Sequence, residues 1–156
     1  MNSVYKIGLF LLVIMLNASA YAQLRAVQPE ELDSLQKIQS RKVLFFIGTE
    51  WCKYCALMHN TTFKNDQVIA ALNDNYYFVN LDAETKRDIK FNNKVFKYKP
   101  FGNNVGTHEL AEELGSVDGK VSYPTICLLN EQLEFIWQKN QFIGAKELLK
   151  VLRAIK

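Results

Sequence analysis

The stretch Val43-Leu44-Phe45-Phe46-Ile47 is an unbroken apolar run of strand-forming residues, and it limits the fold more than any other feature of the chain. Such a run has no wet face, so it predicts a central strand covered on both sides by packed elements. Candidates for that cover lie to either side in sequence. Pro29-Glu30-Glu31 opens a helix whose apolar positions Leu32, Leu35 and Ile38 recur at helical spacing, with acids in the first turn where the helix dipole favours them. After the run, Cys52 to about Thr61 is compatible with a second helix. Asn65 or Asp66 can then cap a third helical piece carrying Val68, Ile69 and Leu72, and Tyr76 to Leu81 is the second strand.

From Asp88 to Pro100 the pattern changes to two short alternating runs, Ile89-Lys90-Phe91 and Val95-Phe96-Lys97-Tyr98, joined by Asn92-Asn93. Paired asparagines tolerate the positive φ angles of a tight hairpin turn. Gly102 to Gly106 is expected to be a loop, and Thr107 to Leu114 a helix with Thr107 as its N-cap. The last third predicts a strand at Thr125 to Leu129, a turn near Asn130, a strand at Phe135 to Gln138 and a helix from about Gly144, with Leu148, Leu152 and Ile155 as its apolar stripe. This order predicts an α/β domain with a mixed central sheet flanked by helices.

The N-terminus bears on compartment. Lys6 precedes an apolar run from Ile7 to Leu16, followed by the small residues Ala18-Ser19-Ala20-Tyr21-Ala22. That order is a secretory signal peptide with an Ala-x-Ala site, cleaved before Gln23. The run is about half of the ~20 apolar residues a membrane-spanning helix needs. Residues 1–22 are therefore expected to be a leader and 23–156 one domain, periplasmic or secreted. The formal charge of +3 implies no affinity for nucleic acid or for membranes.

Three cysteines in an exported chain cannot all pair internally. Cys127 lies in the apolar run Thr125-Ile126-Cys127-Leu128-Leu129, where a free cysteine acts as a small buried hydrophobe. Cys52 and Cys55 form a Cys-x-x-Cys pair between a buried strand and the start of a helix. The unpaired N–H groups and dipole of a helix start stabilise a thiolate on the first cysteine. Cys52 is thus expected to be a partly exposed nucleophile, with Lys53 favouring its thiolate further. Cys55, one turn later and deeper, would resolve the mixed disulfide. Pro124, in Ser122-Tyr123-Pro124-Thr125, precedes the third strand. A cis proline there would leave neighbouring backbone groups free for an incoming peptide.

Glu50-Trp51-Cys52-Lys53-Tyr54-Cys55 after an apolar strand, followed later by Tyr123-Pro124-Thr125, resembles the thioredoxin superfamily. Within it, Thr62-Phe63, Asp66-x-Val68 and Asn80-Leu81-Asp82 are similar to the C-terminal periplasmic domain of the DsbD thiol:disulfide interchange proteins. The resemblance implies a thioredoxin fold with a hairpin-containing insertion near residues 84–107. It also implies catalytic roles for Cys52 and Cys55 and a cis Pro124. Trp51, Tyr123 and Pro124 are expected to bind substrate. The partners implied are exported proteins with disulfides and a thiol electron donor, including a membrane-bound one. No cofactor and no metal is implied.

Two departures stand out. Thioredoxins carry a buried Asp where this chain has Phe46, and Lys-Tyr separates the cysteines where thioredoxin has Gly-Pro. With no buried acid, His59 is the expected acceptor for the Cys55 proton, because helical spacing puts both on one face and its ordinary pKa of about 6.5 suits the task. Glu50 is the competing acceptor. Cys52, Cys55 and His59 lack a fourth ligand for zinc, and Ala56 stands where haem attachment needs a histidine. No helical domain interrupts the fold, which argues for a reductant or isomerase over a primary oxidant. The alternative is a non-catalytic binding module stapled by a Cys52–Cys55 disulfide. Trp137 is expected to pack on the last strand, and the aromatic, basic insertion either to cover the core or to contact a partner.

Overall fold

The computed structural model describes residues 23–103 and 105–155. The expected leader, residues 1–22 with its cleavage site, lies outside the described residues. A four-stranded sheet forms the centre. Strand β1 (Lys42–Gly48) runs parallel to β2 (Tyr76–Asp82) and antiparallel to β9 (Thr125–Leu129). Strand β9 in turn pairs antiparallel with the edge strand β10 (Phe135–Lys139). The sheet is thus mixed, as expected.

The apolar run of β1 is fully buried from Val43 to Ile47, and its pleat feeds two cores. Leu44 and Phe46 face a cluster with Met58 of α2 (Lys53–Asn60), Leu72 of α3 (Asp66–Asn75) and Leu148 of α5 (Ala145–Ala154). Val43, Phe45 and Ile47 face the other, with Leu32 of α1 (Leu32–Ile38) and Leu110 of α4 (Glu109–Gly115). Asn65 caps α3, its side chain accepting the N–H groups of Gln67 and Val68 at 3.1 and 3.2 Å. The free edge of β2 is covered by the N-terminal segment, where the Val27 N–H donates to the Phe78 carbonyl at 2.9 Å. Trp137 packs against the first cluster.

The insertion holds two hairpins where sequence predicts one. In the first, β3 (Ile89–Phe91) pairs with β4 (Lys94–Phe96) through Asn92 and Asn93, which have φ angles of 48° and 59°. Ile89, Phe91 and Phe96 are buried, and Phe91 meets Phe45 edge-on at 5.5 Å. This hairpin covers the core. The second corrects the expected loop at Gly102 to Gly106: β5 (Tyr98–Gly102) pairs with β6 (Val105–His108). Gly106 is needed there for close approach, since a Cβ would fall 2.4 Å from the Lys99 carbonyl oxygen and 2.5 Å from the Tyr98 ring. A third, unexpected hairpin joins β7 (Ser116–Val117) to β8 (Lys120–Val121) over Asp118 and Gly119, with φ angles of 51° and 73°. Ile38 also departs from expectation, being exposed at the end of α1.

The cap of α4 is His108, not Thr107. The buried His108 ring accepts the Leu110 N–H at Nδ1 (3.2 Å), which places its proton on Nε2, 3.1 Å from the Arg87 carbonyl it donates to. Burial lowers the His108 pKa, with the Arg87 guanidinium adding to the lowering and Glu109, Asp88 and the Arg87 carbonyl opposing it. Burial also lowers that of His59. Below about pH 6.5 the unfolded chain therefore takes up protons that the folded one refuses. Stability is expected to fall as pH drops from 7 to 5. His108→Asn keeps a capping side chain but removes the proton site, so its melting temperature should decline less steeply across that range in a thermal-unfolding series.

Candidate active site

Strand β1 ends at Gly48, and the turn that follows brings Cys52 to the N-cap of α2. The Cys52 N–H donates to the Thr49 carbonyl at 3.2 Å, and the Cys55 N–H donates to Cys52 Sγ at 3.1 Å. That second bond is the kind of contact that holds charge on a thiolate once the pair is reduced. In this structure Cys52 and Cys55 form a disulfide. Cys52 is 6% exposed, so the expected partly exposed nucleophile is instead nearly covered in the oxidised state. Its neighbours account for this: Cys52 and Cys55 both belong to the first core cluster, against which Tyr123 also packs.

Trp51 stands 66% exposed beside the disulfide. Its indole Nε1 donates to Glu84 at 3.1 Å, and its ring meets Tyr123 edge-on at 6.1 Å. Tyr123 is half-buried, and burial raises its hydroxyl pKa. The Tyr123–Pro124 peptide is cis and Pro124 is buried. On the α2 side, exposed Tyr54 lies 6.4 Å from Phe142. The disulfide is therefore rimmed by aromatic rings.

Behind the sulfurs lies a cavity of about 320 Å³, lined by Phe46, Thr49, Glu50, Cys55, His59 and Asp82. The structure thus brings His59 and Glu50 to the same space as Cys55. The half-buried His59 ring packs edge-on against Phe46 at 4.8 Å and lies 5.9 Å from Phe63. Burial lowers its pKa, so the ring is neutral near pH 7. Thr49 Oγ1 is buried with no hydrogen-bond partner among the described residues. Free Cys127 is fully buried in β9, and burial pushes its thiol up to about 12, as befits a packing residue. No group of His, Cys, Asp or Glu among the described residues is arranged to hold a metal ion.

Sequence reasoning missed Asp82, Thr49 and Glu84 as site residues. The first was accessible from strand pairing, because parallel alignment sets Asp82 opposite Gly48. Glu84 follows it by the turn in which the Glu84 N–H donates to Asp82 at 3.0 Å.

Residues 29–156 match the family model of the thioredoxin-like domain. Similar solved structures include a thioredoxin from Thermus thermophilus, 20% identical, covering 85% of this chain and 87% of that one with a TM-score of 0.61. DsbH oxidoreductase is 15% identical over 88% of each chain, with a TM-score of 0.60. The C-terminal domain of Neisseria meningitidis DsbD in its oxidised form is 15% identical over 80% of this chain and 90% of that one, with a TM-score of 0.53. At such identities the likeness is one of fold. Among curated proteins, none matches the sequence.

Gly48 gives a direct test of the packing behind the sulfurs. A Cβ there would sit 2.8 Å from Cys55 Sγ and 3.3 Å from Cys55 Cβ. In the oxidised protein that sulfur is bonded and cannot turn away, whereas a thiol can rotate. Gly48→Ala is expected to destabilise the oxidised form by roughly 1–3 kcal/mol, the usual cost of overpacking, and the reduced form by less, as read from denaturant unfolding of both. Equal losses would place the resistance in the β1 backbone and not in the sulfur.

Proposed function

The chain belongs to the thioredoxin-like family, and from that premise we propose that it is a thiol:disulfide oxidoreductase that reduces or isomerises disulfides of exported proteins. The observation that carries this reading is the Cys52–Cys55 pair at the N-terminus of α2, with the Cys55 N–H directed at Cys52 Sγ. The leader-like pattern of residues 1–22 supports a location outside the cytoplasm.

In the reduced protein the Cys52 thiolate attacks one sulfur of a client disulfide. A Cys52–client bond forms, and the second client sulfur leaves as a thiolate and takes up a proton. Cys55 then gives its proton to a base, and its sulfur attacks Cys52 Sγ. The client's remaining sulfur departs as a thiol, and the protein is left with the Cys52–Cys55 disulfide. Two electrons have passed to the client, and a thiol electron donor must return them. Trp51 and Tyr123 form the surface on which the client lies, and Pro124 shapes the backbone beside them.

Phe46 cannot accept the Cys55 proton. His59 shares the cavity with Cys55, is neutral near pH 7, and opens to solvent through the same space as Glu50 and Asp82. His59 is the base in this scheme.

Cys52→Ser is expected to abolish reduction of insulin disulfides, whereas Cys55→Ser should accumulate mixed disulfides visible on non-reducing gels. A stable, folded Cys52→Ser protein with unchanged client binding, beside a wild type that reduces nothing, would instead favour the binding-module alternative.

Resolution of the mixed disulfide provides the test of the base. With His59 present, its rate should fall as pH drops through the lowered His59 pKa, where the imidazole becomes protonated. His59→Ala should slow resolution at pH 7 on the order of 10²-fold, the lower range for general-base catalysis, and move the pH dependence up toward the thiol's own range. Glu50→Gln should leave both nearly unchanged. The reverse result in stopped-flow measurements would transfer the role to Glu50.

A further inference from the structure

We propose that the β5–β6 hairpin is a client-docking arm, and that Phe101 at its end binds an extended apolar segment of the polypeptide whose disulfide is presented to Cys52. This rests on the dithiol reading above. The two hairpins of the insertion differ in what they bury. Phe91 and Phe96 of the first are in the core, whereas Phe101 is 70% exposed and Val105 47% exposed. Phe101 sits where the β5–β6 register slips, between Pro100, paired with Gly106, and Gly102, paired with Val105. Such a bulge leaves one residue unpaired and re-aims its side chain.

The arm is held firmly at its root. The Glu109 N–H donates to the Lys97 carbonyl at 2.8 Å, the Lys97 N–H donates to the Glu109 carboxylate at 2.8 Å, and the His108 N–H donates to the Ala83 carbonyl at 2.7 Å. Tyr98 lies flush on Gly106, with the Lys86 ammonium 5.9 Å from the centre of its ring. Anchoring the root in advance lowers the ordering cost of binding.

The root is also continuous with the mouth of the disulfide. Tyr123 meets Trp51 edge-on, Trp51 donates to Glu84 at the start of the insertion, and at the insertion's end the His108 N–H donates to the carbonyl of Ala83, the residue before Glu84. Thr107 pairs with Lys99, so Phe101 lies two residues beyond that level, roughly 7 Å at ordinary strand rise. The proposed client strand runs from Trp51 and Tyr123 along the hairpin toward Phe101.

Charge selects the class of occupant. Lys94, Lys97 and Lys99 are each matched by an acid, Glu113 at 3.5 Å, Asp88 at 3.8 Å and Glu112 at 3.0 Å. With Arg87 paired to Glu30, four of the insertion's six cations face an acid, while Lys86 lies against the Tyr98 ring and Lys90 has no acid partner among the described residues. Apolar contact at Phe101 is the recognition proposed, and an unfolded apolar segment fits it.

The test uses Phe101→Asp and the conservative Phe101→Trp in the otherwise unaltered protein, since an exposed residue can be changed without disturbing the core. The first probe is reduced, carboxamidomethylated ribonuclease A, an unfolded chain that cannot exchange disulfides. Phe101→Asp should weaken its binding at least about tenfold, the scale of one buried aromatic anchor, and Phe101→Trp should retain it. In turnover, Phe101→Asp should raise KM for insulin by a similar factor with kcat unchanged, and leave reduction of glutathione disulfide untouched. Unchanged binding of the alkylated chain to Phe101→Asp overturns the arm, as does an equal loss on glutathione disulfide. If the wild type binds the alkylated chain through Phe101 yet reduces neither disulfide, the docking arm stands and the redox reading falls.

Discussion

The structure depends on β1 being dry on both faces. Its side chains alternate between two cores, so the strand can be seated only once both helical layers and both neighbouring strands are in place. Each fully buried Phe, Leu or Ile there contributes about 1.5–3 kcal/mol relative to exposure, and none can be re-exposed without opening a layer. That rigidity is what the sulfurs use. Gly48 closes the strand with no side chain, and Cys55 Sγ occupies the space a Cβ would take. The disulfide is positioned by the end of the doubly buried central strand and by the first turn of α2.

The two sides of the disulfide have different physical character. Trp51, Tyr123, Tyr54 and Phe142 make an aromatic rim toward solvent, suited to a polypeptide's side chains. The cavity behind is polar at Glu50, His59 and Asp82 and apolar at Phe46. Sulfur chemistry and proton traffic can therefore use opposite approaches to Cys55. Phe46 has no ionisable group, so the position carries no buried-charge cost, and its ring packs against His59 instead. His59, at the cavity wall, is half-buried and neutral near pH 7, as the base proposed for Cys55 needs to be.

Most of this architecture was legible in the sequence because it rests on local signals. The apolar run, the Asn65 cap, the paired asparagines and the Cys-x-x-Cys position all depend on neighbours in the chain, and each falls where expected. What was not legible depends on distant contacts. Thr107 and His108 are adjacent and both can cap a helix; the choice falls to His108 because the Arg87 carbonyl waits for its second nitrogen. Gly102 and Gly106 look like loop residues until Tyr98 is seen to lie on Gly106. Asp118-Gly119 is a hairpin-turn dipeptide, and its positive φ angles were legible from the local sequence. The covering of Cys52 likewise comes from the packing of the core around it, which no local pattern encodes.

The insertion carries the same lesson into function. Ile89-Lys90-Phe91 and Tyr98-Lys99-Pro100-Phe101 both combine bulky apolar residues with a lysine, yet Ile89 and Phe91 are core and Phe101 is surface. Pro100 marks the difference. It cannot donate to a ladder, so it is confined to edges and bulges, and the bulge it introduces turns Phe101 away from the pairing partner. A core hairpin must satisfy both its backbone and its apolar face, whereas an arm needs only a fixed root. Here the root is fixed by charged and backbone contacts to α4, the same helix whose Leu110 helps bury β1. The position of Phe101 relative to Cys52 is thus set through the central strand as well, by way of α4 and Tyr123, although the two residues lie in separate segments of the chain.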